Sequence, residues 1–164
     1  MASAAALALL CASGSPVTRP TGCAPGESAV VVDTGEHRLH LCWRGESERT
    51  FTVALGVNGV DKRREGDNRT PLGSYPLGAP RASRTFHVFV PVDYPTADQT
   101  RRGFSGGAIG IHGPPRGLGG LARLLELVGT DWTAGCIAVA TDQEIDDIAD
   151  WVRRREVKAV RLVR

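Results

Sequence analysis

Arg38-Leu39-His40-Leu41-Cys42-Trp43 puts leucine, leucine and tryptophan at every second position, with arginine, histidine and cysteine between them. A period of two is the signature of a strand with one buried face. Just before it, Ala29 to Asp33 is a short β-branched run, and Thr34-Gly35-Glu36 supplies a turn. After a second turn at Gly45, Phe51, Val53 and Leu55 repeat the alternation. These three segments predict an antiparallel meander. Further on, Phe86, Val88 and Val90 predict a strand, as do Ile109 and Ile111, and Val160 and Leu162 close the chain with another. The fold class expected is mainly β, a sandwich or barrel-like sheet.

Two helices are expected near the C-terminal end. Leu118, Leu121, Leu124, Leu125 and Val128 have helical spacing and stop at Gly129. Ile145, Ile148, Ala149 and Val152 form an apolar stripe, opposite Asp146, Asp147, Asp150 and Arg153. Thr141-Asp142-Gln143-Glu144 is a capping box that fixes where this second helix begins. The run Arg153-Arg154-Arg155 suits the negative end of the helix dipole and reads as a solvated helix end.

Composition bounds the function. The 164 residues amount to one domain with short tails. The 20 Gly and 10 Pro favour short strands and loops over a helix bundle. A net charge of +2 gives no electrostatic reason to expect nucleic acid, and no apolar run reaches the ~18 residues of a membrane span. The N-terminus is different in kind. Ala2 to Ala12 is small and apolar, and Ser13 to Pro25 turns polar and rich in Pro and Gly, as in a secretion signal and its cleavage region. No Lys or Arg precedes the apolar stretch. Residues 1–26 are therefore expected to be a signal peptide or a disordered tail, with the catalytic domain over 27–164. The localisation expected is export to the periplasm or cell envelope. Leu9-Leu10-Cys11 resembles a lipoprotein processing site, a less favoured alternative. If Cys11 leaves with the signal, three cysteines remain, and the economical assignment pairs Cys23 with Cys42 and leaves Cys136 free. Two unlinked thiols are the alternative. No pair has C-x-x-C spacing, so no zinc site is expected.

The chemistry concentrates in Asp131-Trp132-Thr133-Ala134-Gly135-Cys136-Ile137-Ala138-Val139-Ala140. Here a cysteine sits where a glycine turn enters a short apolar strand, and glycine lets successive N–H groups turn toward one point. Upstream, Ile109-Gly110-Ile111-His112-Gly113 ends a strand on a histidine. A Cys–His pair suffices for thiol acyl transfer: the imidazole keeps the sulfur as thiolate and then protonates the leaving amine. His37, His40 and His87 read as structural or surface residues, and Thr70-Pro71 as a rigid turn. Trp132 is expected to pack beneath the catalytic turn and hold Cys136. Gly103 to Gly107 forms either an ordinary turn or a loop over the cleft, in which Phe104 makes an apolar contact to substrate.

His112-Gly113 followed by Thr133-x-Gly135-Cys136-Ile137 resembles the signature of the L,D-transpeptidase (YkuD-type) catalytic domain. Leu55-Gly56, the set Lys62…Gly66-Asp67-x-x-Thr70-Pro71-x-Gly73-x-Tyr75, and Tyr94-Pro95 agree, and together they resemble the YafK-like branch over residues 29 to 163. The resemblance implies an enzyme of peptidoglycan stem peptides. Cys136 is then the nucleophile, His112 the general base and the Gly113 carbonyl its orienting group. The N–H groups of Gly135 and Cys136, with Ala134, are the oxyanion donors. Thr133 is a turn-forming hydroxyl and a substrate contact. The implied partners are stem peptides, a peptidoglycan-linked protein and, as covalent inhibitor, a carbapenem; no cofactor and no metal are implied.

This sequence departs from the commoner family pattern at Ala134, where many members have a second histidine, at Ala138, where many have arginine, and at Thr141 in place of asparagine. The first two changes bear on substrate rather than on the nucleophile. Three readings stand side by side: an L,D-transpeptidase, an L,D-carboxypeptidase or amidase that hydrolyses peptide attachments, and a non-catalytic cell-wall binding module. A papain-type peptidase has its cysteine before its histidine, the reverse of the order here.

Overall fold

β1 (Ala29–Asp33) lies at the centre of the larger sheet. Its three consecutive valines are all fully buried because both faces of the strand are covered. Val30 and Val32 enter the main core, while Val31 packs with Ala29, Cys23 and Cys42 on the other side. A strand covered on both faces reads as a continuous apolar run rather than an alternation. β2 (Arg38–Trp43) pairs antiparallel with β1, and β3 (Glu46–Thr52) antiparallel with β2. The expected meander is therefore present. Its third strand begins earlier than the alternation of Phe51, Val53 and Leu55 suggests, because Glu46 to Thr50 form an exposed edge on which no apolar pattern is needed. On the other side β1 pairs parallel with β9 (Ala159–Val163), which pairs antiparallel with β4 (Gly73–Pro76).

The second sheet runs in the order β5 (Arg81–Ser83), β6 (His87–Pro91), β7 (Gly110–His112) and β8 (Ile137–Ala138). The β7–β8 pairing is parallel, with Ile111 opposite Ile137 and His112 opposite Ala138. The computed structural model describes residues 22–127 and 129–164, and over them the chain is mainly β with three short helices, α1 (Ala97–Arg101), α2 (Gly119–Leu127) and α3 (Asp142–Arg155). The apolar segment read as an export signal, Cys11 and Val128 lie outside the described residues. No helix among those described is long and apolar enough to cross a membrane.

α3 follows its sequence closely. Thr141 accepts from the Glu144 N–H, and the Glu144 carboxylate accepts from the N–H groups of Ala140 and Thr141. Ile145, Ile148, Ala149 and Val152 are buried as expected, joined by Trp151, whose indole donates to Glu48 on β3. α2 differs. The helix forms, but only Ala122 is fully buried, and Leu118, Leu121 and Leu124 stay about half exposed. Helical spacing locates such a helix without saying whether anything covers its apolar face. α1 has its own capping box, Thr96 with Gln99, a signal the sequence analysis passed over.

Cys23 and Cys42 form a disulfide, with Cα atoms 5.5 Å apart, and Cys136 is free. The bond, together with the Ala24 N–H donated to Glu27, carries ordered structure back across the boundary expected at 26/27. Removing the cross-link as Cys23→Ser/Cys42→Ser should lower the unfolding free energy by about 3 kcal/mol, the loop-closure value for a loop of this length. Denaturant titration checks this, with the far-UV circular dichroism at low denaturant unchanged.

Candidate active site

The register of the second sheet brings the two reactive side chains together. With Ile111 opposite Ile137, Gly110 falls beside Cys136, and residues 110, 112 and 136 share one face while both isoleucines point into the core. His112 and Cys136 are thus diagonal neighbours on a rigid surface. β8 is only two residues long, and it is braced from the far side by reciprocal bonds between Ala54 and Ala138, at 2.8 and 2.9 Å.

The turn before Cys136 is held by one hydroxyl. Thr133 Oγ1 donates to the Cys136 carbonyl at 2.8 Å and accepts from the Gly135 N–H at 3.0 Å. Thr133 is itself buried and tied through its backbone to Leu55 and Val57. Asp131 secures the start of the turn by accepting from the Leu55 N–H at 2.7 Å and bonding His37 at 3.2 Å. Thr70 Oγ1 accepts from the Gly56 N–H at 2.8 Å and donates to the Cys136 carbonyl at 3.5 Å. Gly135 adopts φ +124°, and a Cβ there would sit 2.5 Å from the Arg69 carbonyl oxygen. No other residue fits.

One expectation is corrected by this geometry. The Gly135 N–H is already donated to Thr133, so it is committed to the turn and is not a free oxyanion donor. The N–H groups of Ala134 and Cys136 have no acceptor among the described residues, and these are the donors left to meet an oxyanion.

His112 is 2% exposed. Its Nδ1 lies 2.7 Å from the Gly113 carbonyl, and because a carbonyl can only accept, Nδ1 carries the proton and Nε2 keeps a lone pair for the reaction. Phe86 stacks on the imidazole with ring centroids 3.9 Å apart, and Trp132 meets it edge-on at 5.9 Å. Trp132, expected beneath the catalytic turn, thus packs on the histidine. Phe86, expected only as a strand residue, closes the other side of the ring.

Burial pushes the His112 imidazole below its ordinary value, against the opposing Gly113 hydrogen bond. Burial likewise pushes the Cys136 thiol up, opposed by the Gly110 N–H and by Lys62. Both shifts favour neutral groups. Both directions run against the standing thiolate expected from the residue types. The thiol donates to the Ala108 carbonyl at 3.5 Å and must turn from it toward Nε2 to react.

Phe104 packs against the edge of the core, with the guanidinium groups of Arg63 and Arg102 over its ring at 5.4 and 5.2 Å. His40 and His87 bond Ser47 and Thr50, and Asp146, respectively, away from the thiol. Lys62, which in the sequence only opens the set Lys62…Gly66-Asp67 and is given no role there, is buried, and its positive charge opposes the upward shift of the Cys136 thiol.

Gly135→Ala should leave the far-UV circular dichroism intact and cut activity by about 10²-fold, since the added Cβ displaces the catalytic turn. A variant with near wild-type turnover would contradict this account of the turn.

Comparison with known proteins agrees with the geometry. Three solved structures share the fold. The helical cell shape determining protein Pgp2 from Campylobacter jejuni matches with a TM-score of 0.63 at 24% identity, over 82% of this chain and 46% of that one. Bd1075 from Bdellovibrio bacteriovorus matches with a TM-score of 0.59 at 19% identity, over 82% and 47%. An L,D-transpeptidase from Xylanimonas cellulosilytica matches with a TM-score of 0.50 at 17% identity, over 89% and 65%. The chain spans about half the length of the first two. No curated protein matches it significantly. Residues 27–160 match the YkuD family, described as the L,D-transpeptidase catalytic domain, and the chain belongs to that family.

Proposed function

We propose that this protein is an exported cysteine acyltransferase that performs L,D-transpeptidation on peptidoglycan stem peptides through a thioester on Cys136. The observation that carries the reading is the His112–Cys136 pair itself. An imidazole held through Nδ1 by the Gly113 carbonyl shares a sheet face with Cys136, whose backbone N–H has no acceptor among the described residues. Family membership supports the substrate class.

In the first half-reaction the Cys136 proton passes to His112 Nε2 as Sγ attacks the carbonyl of the donor's L,D amide bond. The oxyanion faces the N–H groups of Cys136 and Ala134. Collapse breaks the C–N bond, and His112 returns the proton to the departing D-amino acid. In the second half, an acceptor amine gives its proton to His112 and attacks the thioester, restoring the thiol. Water in the acceptor's place would give a free carboxylate. Phe104 stands as the substrate contact proposed at the rim, whereas Thr133, expected to share that role, is buried with its hydroxyl bonded to the Cys136 carbonyl and the Gly135 N–H and acts within the turn. The Cys23–Cys42 disulfide supports an oxidising compartment, and export with cleavage ahead of Cys23 keeps it intact.

Defined tetrapeptide muropeptides, incubated with the protein and resolved by mass, distinguish the readings. Cross-linked dimers are expected; tripeptide alone would assign a hydrolase, and unchanged substrate a binding module. His112→Ala should slow the reaction by at least ~10²-fold. A carbapenem should acylate Cys136 and neither half of the disulfide, as peptide mapping would show.

The burial of both groups predicts the pH behaviour. A histidine lowered by burial loses its proton below the ordinary ~6.5, so the acid limb of kcat/KM should lie beneath that value. The thiol, raised by burial, should be alkylated by iodoacetamide with a midpoint above its ordinary 9.0 and no plateau in acid. Alkylation persisting unchanged down to about pH 5 would reveal a standing ion pair instead.

A further inference from the structure

We propose that Lys62 is the cation that stabilises the Cys136 thiolate while its proton resides on His112, a positioning residue that acts through the sulfur. This deepens the acyl-transfer reading and rests on it. Lysine is almost never fully buried without a partner, and Lys62 is 4% exposed. Its ammonium donates to Asp67 Oδ1 at 2.8 Å and to the Arg64 carbonyl at 3.0 Å, leaving its third N–H without an acceptor among the described residues. A buried ion pair contributes little net stability compared with apolar residues of similar volume, so its retention in this loop calls for another reason.

The surroundings supply one. The Lys62 stem passes beneath Gly106, where a Cβ would lie 3.2 Å from Lys62 Cε, and the same 106–108 segment presents the Ala108 carbonyl to the thiol. From the other side, the Lys62 N–H bonds the Thr70 carbonyl, and the Thr70 hydroxyl reaches the Cys136 carbonyl. Lys62 is thus wedged between the two segments that flank the nucleophile. Asp67 accepts from Lys62 and from the N–H groups of Arg63, Arg64 and Arg69, so its charge is spread over the loop while it fixes the ammonium in place.

The other titratable groups around the sulfur do not offer this charge. His112 on β7 receives the proton. Glu65, on the loop beside Gly106, has the wrong sign. Asp131 is turned to Leu55 and His37, and Asp142 at the start of α3 lies against Gly113. Because His112 is oriented by an uncharged carbonyl, no carboxylate steadies an imidazolium, and the site is left to stabilise the thiolate half of the pair.

The test is the pH profile of Cys136 alkylation by iodoacetamide, which needs no peptide. Lys62→Met should move the midpoint upward by about one pH unit and slow labelling at pH 7 roughly tenfold, the effect of losing one nearby opposite charge. Lys62→Arg should recover most of that loss. Asp67→Asn loosens the same loop but keeps the ammonium, and should lower the midpoint or leave it in place. An unchanged profile in Lys62→Met, or equal upward shifts in Lys62→Met and Asp67→Asn, would overturn the proposal. If Lys62→Met does not fold, Asp67→Asn decides, an upward shift again overturning it. Failure of the wild-type protein to process stem peptides would instead count against the acyl-transfer reading, separately from this measurement.

Discussion

The parallel pairing of β7 with β8 is the constraint on which the site depends. It sets Ile111 against Ile137 in the core and so leaves Gly110, His112 and Cys136 on the opposite, reactive face. A slip of one residue would exchange those faces and bury the thiol among aliphatic side chains. Parallel strands require a long crossover, and here it contains α2 and the catalytic turn. Much of the loop architecture serves to pin that short strand: Ala54 across from Ala138, Val139 bonded to the His112 carbonyl, and Thr133 locking the turn.

The electrostatics of the site follow from where this pairing puts it. A histidine enclosed by Phe86, Trp132 and the sheet is shielded from water, and a thiol in the same place shares the shielding. Charge separation between them is therefore unfavourable until substrate engages. Burial that raises the thiol also limits its idle reactivity toward oxidants and disulfides, since the thiolate is the reactive form. The Gly110 N–H and the Lys62 charge oppose that penalty at the sulfur.

Sequence alone made legible those parts whose signals are local. The meander, the capping box at Thr141, and the Gly-Cys turn each announce themselves within a few residues, and the structure contains all three. The pairing of Cys136 with His112 was legible as a candidate because their residue types and neighbours are distinctive, and the β7–β8 register does bring them to one face. Non-local facts were not. The commitment of the Gly135 N–H to Thr133 depends on a hydroxyl rotamer, and the stacking of Phe86 on His112 joins residues that only folding brings together. The alternation along β2 gave no hint that Cys42 would be fully buried; the disulfide to Cys23 and a register shift between Leu41 and Cys42 account for it. α2 shows the opposite limit, a correctly placed helix whose leucines face outward.

The central claim is that Cys136 carries the acyl group. Rapid quenching of the protein with a defined tetrapeptide donor, followed by intact-mass measurement and peptide mapping, tests it most directly. The account predicts release of the terminal D-amino acid together with a transient adduct of the remaining acyl peptide on Cys136, absent from Cys136→Ala. Turnover of donor by Cys136→Ala, or an adduct located on any other residue, would contradict it.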